Sequence, residues 1–142
     1  MPGDVITLQN RGHAYQAKQD YEHAIADYSD AIRIEPRFAF AYNDRCYART
    51  LAGQELQQAV ADCNEALKLM PNDVHILDSR GLTYLKLSDF DKAITDYSAI
   101  LKVNPRHAAS LYGRGLAKQK LGDNKGGVAD VAAAKAIHLS QS

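Results

Sequence analysis

The chain has 142 residues, 46% of them hydrophobic and 24% charged, enough apolar content for a core with ordinary surface charge. Lysine and arginine together number 17, as do aspartate and glutamate, so no net charge draws the chain to nucleic acid. No stretch is long and apolar enough to span a bilayer, and two cysteines, Cys46 and Cys63, are too few for a disulfide scaffold. The N-terminus, Met1-Pro2-Gly3-Asp4, lacks a basic segment followed by an apolar run, so no signal peptide is read and a cytoplasmic location is expected.

Taken in chain order, Asp4 is placed as N-cap of a first helix from Val5 to Lys18. A second runs from Tyr21 to Ile34, with Ile25, Tyr28 and Ile32 at three- and four-residue spacing, the mark of one buried stripe. Pro36 stops it, because proline cannot continue a helix and pushes its predecessor out of helical geometry. The second helix then recurs. Residues 24–36, A-I-A-D-Y-S-D-A-I-R-I-E-P, return at 59–71 as A-V-A-D-C-N-E-A-L-K-L-M-P. They return again at 93–105 as A-I-T-D-Y-S-A-I-L-K-V-N-P, and at 127–139 as G-V-A-D-V-A-A-A-K-A-I-H-L. Pro71 and Pro105 are stops like Pro36. An acidic residue precedes each second helix (Asp20, Glu55, Asp89, Asp123), where it can accept from free backbone N–H groups and complement the dipole.

Four copies at a period near 34 mean a repeat array rather than a globular enzyme. Small residues recur where paired helices must approach closely: Gly12, Cys46, Gly81 and Gly115 in the first helices, and Ala24, Ala59, Ala93 and Gly127 in the second, followed by Ala31, Ala66 and Ala134. Glycine inside a helix costs about 1 kcal/mol relative to alanine, so its recurrence points to close packing. Tyr15, Tyr28, Tyr84 and Tyr97 fill the space beside these contacts as packing wedges. An arginine precedes each small residue (Arg11, Arg45, Arg80, Arg114), and an aspartate holds one register in each second helix (Asp27, Asp62, Asp96, Asp130). The constant register predicts a repeated Arg–Asp contact. Cys46 and Cys63 face each other within the second copy, so a bridge is conceivable, but buried reduced thiols are the expectation.

These motifs resemble the tetratricopeptide repeat family, whose unit has a small residue, two aromatics, two alanines and a proline at fixed places. Gly12, Tyr15, Ala24, Tyr28, Ala31 and Pro36 match in the first copy, as do Gly81, Tyr84, Ala93, Tyr97 and Pro105 in the third, which has Ile100 for the second alanine. The second copy carries an extra residue near 52–55 and cysteines at two signature sites; the fourth has Leu139 where proline is expected. The resemblance implies an all-α fold, a right-handed superhelical solenoid of about eight helices in antiparallel pairs. It forms one array over residues 1–142, with repeats near 5–38, 39–73, 74–107 and 108–141. The sequence style resembles bacterial members of that family.

The resemblance also implies a concave face lined by first helices. Candidate groove residues are Gln9, Asn10 and His13; Phe40, Asn43, Asp44 and Tyr47; His75, Asp78, Ser79 and Leu82; and Tyr112 and Leu116. Amides and carboxylates there can hold a peptide backbone while the aromatics bury side chains. Family members that capture a chaperone's acidic C-terminal tail clamp it with lysines, asparagines and an arginine. Gln9, His13, Asp44, His75 and Ser79 stand at those places, so such a tail is not the expected ligand. His75, Asp78 and Ser79 share a helix face, but a regular helix has no spare N–H groups for an oxyanion hole, so no catalysis is expected. The five histidines are scattered, so no metal is expected; no cofactor motif is present, and Lys118, Lys120 and Lys125 read as a solvated basic patch. The expected function is a non-catalytic scaffold binding an unidentified protein or peptide, with no nucleic acid and no membrane insertion. The alternative is self-association as a homodimer through exposed end helices, because solenoid ends need a cap or a neighbour. The absence of a capping helix after Ser142 suggests either a domain cut from a longer chain or an end covered by another copy.

Overall fold

The computed structural model describes residues 4–140. The reading of Met1-Pro2-Gly3 and the end of the fourth repeat at Gln141 fall outside them. Eight helices follow in order: α1 Val5–Ala17, α2 Tyr21–Ile34, α3 Ala39–Ala52, α4 Leu56–Leu69, α5 Val74–Lys86, α6 Phe90–Val103, α7 Ala108–Lys120 and α8 Asn124–Ser140. Each odd-numbered helix packs on the even one that follows, and pairs stack so that α3, α5 and α7 line up side by side. The result is an all-α right-handed superhelical solenoid.

Helix ends follow local chemistry. Asp4 accepts from the Ile6 and Thr7 amides and caps α1, which ends at Ala17 with Lys18 as its C-cap. Helices α2, α4 and α6 end two residues before Pro36, Pro71 and Pro105. The intervening Glu35, Met70 and Asn104 leave helical geometry, with φ near −133° and ψ of 79–87°. Helix α8 has no such proline and runs to Ser140, three residues beyond Ile137, which holds the register of Ile34, Leu69 and Val103. The acidic residues before the second helices divide. Asp20 and Asp123 accept from the His23 and Gly126 amides, whereas Glu55 and Asp89 make no cap bond. The extra residue of the second repeat lengthens α3 to 14 residues, against 13 in α1, α5 and α7. Its turn changes with it: Gly53 and Glu55 both take positive φ, 69° and 54°, and the strained Glu55 does not cap.

The helix pairs are held at one recurring contact. A Cβ on Gly12 would run into the Tyr28 ring, and one on Gly81 would lie 2.9 Å from the Tyr97 ring. In the fourth repeat the same places hold Gly115 and Val131, and a Cβ on Gly115 would sit 2.8 Å from the Gly127 carbonyl. Tyr28 and Tyr97 are buried, as expected of wedges, and the Tyr28 hydroxyl donates to Gln16 Oε1 at 3.0 Å. In the second repeat these places hold Cys46 and Cys63, and the two are bonded to each other rather than reduced. The expectation of free thiols is corrected for a geometric reason. Close helix approach brings their Cα atoms to 5.7 Å, within the span that a disulfide needs.

The Arg–Asp contact is present in all four repeats. Arg11, Arg45, Arg80 and Arg114 each donate through Nε and Nη2 to both carboxylate oxygens of Asp27, Asp62, Asp96 and Asp130 at 2.6–3.0 Å. The remaining nitrogen ties one repeat to the previous one. Nη1 of Arg45, Arg80 and Arg114 donates to Ser29 Oγ, Asn64 Oδ1 and Ser98 Oγ, each two residues after the preceding repeat's aspartate. One turn further along the first helix, Arg49 and Lys118 add a second cation on Asp62 and Asp130. Lys118 is therefore part of an ion pair, not of a solvated patch.

Candidate peptide-binding cleft

One register per helical turn decides what the concave face presents. Gln9, Asn43, Asp78 and Tyr112 share one register of the first helices; His13, Tyr47, Leu82 and Leu116 share the next, four residues on. Side chains four apart lie on the same helix face, so stacking α3, α5 and α7 assembles them into two parallel rows. Between these rows lies a cleft of about 430 Å³.

Asn43, Asp44, Tyr47, His75, Asp78, Ser79, Leu82, Tyr112 and Leu116 of the sequence candidates all line this cleft. Asn10, His13 and Phe40 do not; Asn10 is exposed, and Phe40 is partly buried. His13 instead reaches across to α3, with Nε2 3.0 Å from Asp44 Oδ2, and Gln9 Nε2 donates to the same oxygen at 2.9 Å. Asp44 is thus a tie between the first two repeats as well as part of the wall. Four lining residues were not read from the sequence: Leu85, Tyr97, Ala109 and Gly113. Ala109 shares the register of Phe40 and His75, and Gly113 that of Asp44 and Ser79, so repeat alignment alone could have found both. Their small size is functional in the packing. A Cβ on Gly113 would lie 2.6 Å from the Tyr97 ring, so glycine lets that ring reach the cleft wall.

The wall carries uneven chemistry. Its apolar part is Tyr47, Leu82, Leu85, Ala109, Tyr112 and Leu116, with Tyr47 37% and Tyr112 49% exposed. Its charged part is acidic: Asp44 and Asp78 line it, and no lysine or arginine does. Burial holds the Asp44 carboxyl above the usual carboxylate range, against the pull of the Gln9 hydrogen bond and of His13. Burial likewise raises the Asp78 carboxyl, against weaker pulls from His107 and His75. Asn43 Oδ1 is buried and accepts no hydrogen bond from any described residue. The Ser79 hydroxyl donates back to the His75 carbonyl at 3.1 Å, so it is committed to its own helix. Among the described residues no cluster of three His, Cys, Asp or Glu could hold a metal ion, and no helix is long and apolar enough to cross a membrane.

A stacked array of helix pairs with a side-chain-lined concave face defines a repeat scaffold for protein–protein interaction. Two tetratricopeptide repeat profiles match the sequence, over residues 5–38 and 79–137. The chain belongs to the tetratricopeptide repeat family. Over 61 residues it is 33% identical to stress-induced-phosphoprotein 1 of Caenorhabditis elegans, a match covering 43% of this chain and 19% of that protein. The chain thus spans about a fifth of the length of that curated relative. Its fold resembles the crystal structure of MamA, with a TM-score of 0.85 and 23% identity over 99% of this chain and 81% of that one. It also resembles the first tetratricopeptide repeat domain of Spaghetti (RPAP3) bound to the HSP90 peptide SRMEEVD. That match has a TM-score of 0.78 and 22% identity, over 83% of this chain and 93% of that one. At these identities the two structures speak to the fold alone.

Proposed function

We propose that this chain is a non-catalytic scaffold that holds a peptide or protein segment in the cleft between α3, α5 and α7. The observation that carries the reading is the exposure of Tyr47 and Tyr112 beside Leu82 and Leu116 in a concave wall that also carries polar acceptors. Large aromatics in a groove supply area for anchors, and amides and carboxylates orient a backbone. The Spaghetti domain takes an acidic HSP90 peptide. Here Gln9, His13, Asp44, His75 and Ser79 offer no lysine or arginine, and Asp44 would repel a terminal carboxylate, so a chaperone tail is a poor ligand. Affinity capture with the wild-type chain and a Tyr47→Ala/Tyr112→Ala variant tests the reading. Partner recovery should fall at least tenfold in the variant while its circular dichroism is unchanged; equal recovery by both would remove the cleft from the function.

A second reading rests on an adjoining surface, which shares Ala109 and Tyr112 with the first cleft. Ala108, Ala109, Tyr112 and Ala134 form a mostly apolar cleft between α7 and α8, and Val128 on α8 is 59% exposed. A second copy covering this face would make a homodimer. Light scattering across a hundredfold range of concentration separates the two readings, because only self-association makes the mass rise.

A further inference from the structure

The cleft has a charge preference, and this inference rests on the proposed peptide-binding reading. Its two carboxylates differ in what they already hold. Asp44 accepts from Gln9 and lies against His13, so its charge is partly spent inside the array. Asp78 receives no hydrogen bond from any described residue, and only His107 and His75 pull against the burial that raises it. It is a half-buried carboxylate in an open wall with no fixed counter-charge. Elsewhere in the array the buried aspartates are neutralised: Asp27, Asp62, Asp96 and Asp130 each hold a bidentate arginine. Asp78 departs from that rule on the face that is free to bind. A buried ion without a partner is costly, and a ligand cation that supplied one would recover the cost on binding. Around it the wall offers two exposed tyrosines, whose faces attract cations, and leucines for apolar neighbours. An acidic segment would instead face two carboxylates with no lysine or arginine to receive it.

We propose that the cleft takes a peptide segment carrying a lysine or arginine, its cation paired with Asp78 and its apolar neighbours packed on Tyr47, Leu82, Tyr112 and Leu116.

The test is selection from a random twelve-residue peptide display library against the whole chain, repeated on Asp78→Asn and on Tyr47→Ala/Tyr112→Ala. The expected result is a set of peptides with lysine or arginine enriched at one position between apolar residues. Replacing that cation by norleucine in a synthetic copy should weaken binding by at least tenfold on the wild type and by less than threefold on Asp78→Asn. Selected peptides that are neutral or acidic at that position, yet lose binding to the double tyrosine variant, would overturn the charge preference and leave the cleft reading standing. Peptides that bind the double tyrosine variant as well as the wild type would overturn both. If the norleucine change weakened binding equally on the wild type and Asp78→Asn, the cation would not sit on Asp78 and the proposal would fail.

Discussion

Replacing Arg80 by methionine isolates what the recurring ion pair contributes. Arg80 donates to Asp96 through Nε at 2.8 Å and Nη2 at 2.7 Å, and to Asn64 Oδ1 at 2.9 Å. The Asp96 side chain is 3% exposed and has no other donor among the described residues. Methionine keeps most of the packing stem, so the change leaves a buried carboxylate alone. Removing one member of a buried pair costs about 3–5 kcal/mol, a large share of the roughly 5–15 kcal/mol that holds a domain together. Arg80→Met/Asp96→Leu removes both charges and should lie within about 1 kcal/mol of the wild type, because a packed apolar pair can replace a buried ionic one. Urea unfolding of the four members of this cycle gives the coupling energy. Hydrogen exchange in α5 and α6 shows whether the loss is local, as expected where each repeat contacts only its neighbours. Arg11→Met should cost less than Arg80→Met, because Arg11 is 51% exposed along its side chain and, among the described residues, bonds to Asp27 alone. A cost below about 1 kcal/mol for Arg80→Met would refute the reasoning, since that is the range of an exposed surface pair.

Other expectations follow from single contacts. Gly81→Ala should destabilise by up to about 2 kcal/mol, because overpacking against the Tyr97 ring costs about 1–3 kcal/mol and the gain in helix propensity returns about 1; the urea midpoint should fall with its slope unchanged. Reducing Cys46–Cys63, which are 17 residues apart, should cost about 3 kcal/mol, read as a lower melting temperature in dithiothreitol than without it. The hydrogen bond to Asp20 raises the His23 imidazole above its usual value, and the same bond lowers the Asp20 carboxyl. The histidine's share of cap stability is therefore full below the unfolded-state histidine pKa and lost as pH rises through the higher folded value. NMR titration should place His23 above an unpaired histidine, and Asp20→Asn should bring it back.

The array was legible because repetition multiplies weak signals. A single Gly12 or Pro36 says little, but the same residue types at one period fix the helix order, the packing stripe and the register of the Arg–Asp contacts. The inter-repeat ties to Ser29, Asn64 and Ser98 are not marked in the sequence, although their register is constant, because serine and asparagine on a helix surface usually face water. The disulfide was the opposite case. That the two positions face each other was readable, but the 5.7 Å Cα separation that lets them bond was not. Lys118 resembles Lys120 and Lys125 by type but not by register: it stands where Arg49 stands, and both pair with an aspartate. Within the cleft, aromatic and polar residues stood out by type. Ala109 and Gly113 carry no such mark, because they shape the wall by being small.

The central claim is that a ligand sits on the first-helix rows. Amide chemical-shift mapping with a peptide taken from the display selection tests it most directly. The account predicts perturbations concentrated at Asn43, Tyr47, Asp78, Leu82, Tyr112 and Leu116, with α2, α4 and the part of α6 away from Tyr97 little changed. Shifts centred on α8 around Val128, or spread over the outer faces of the second helices, would contradict it.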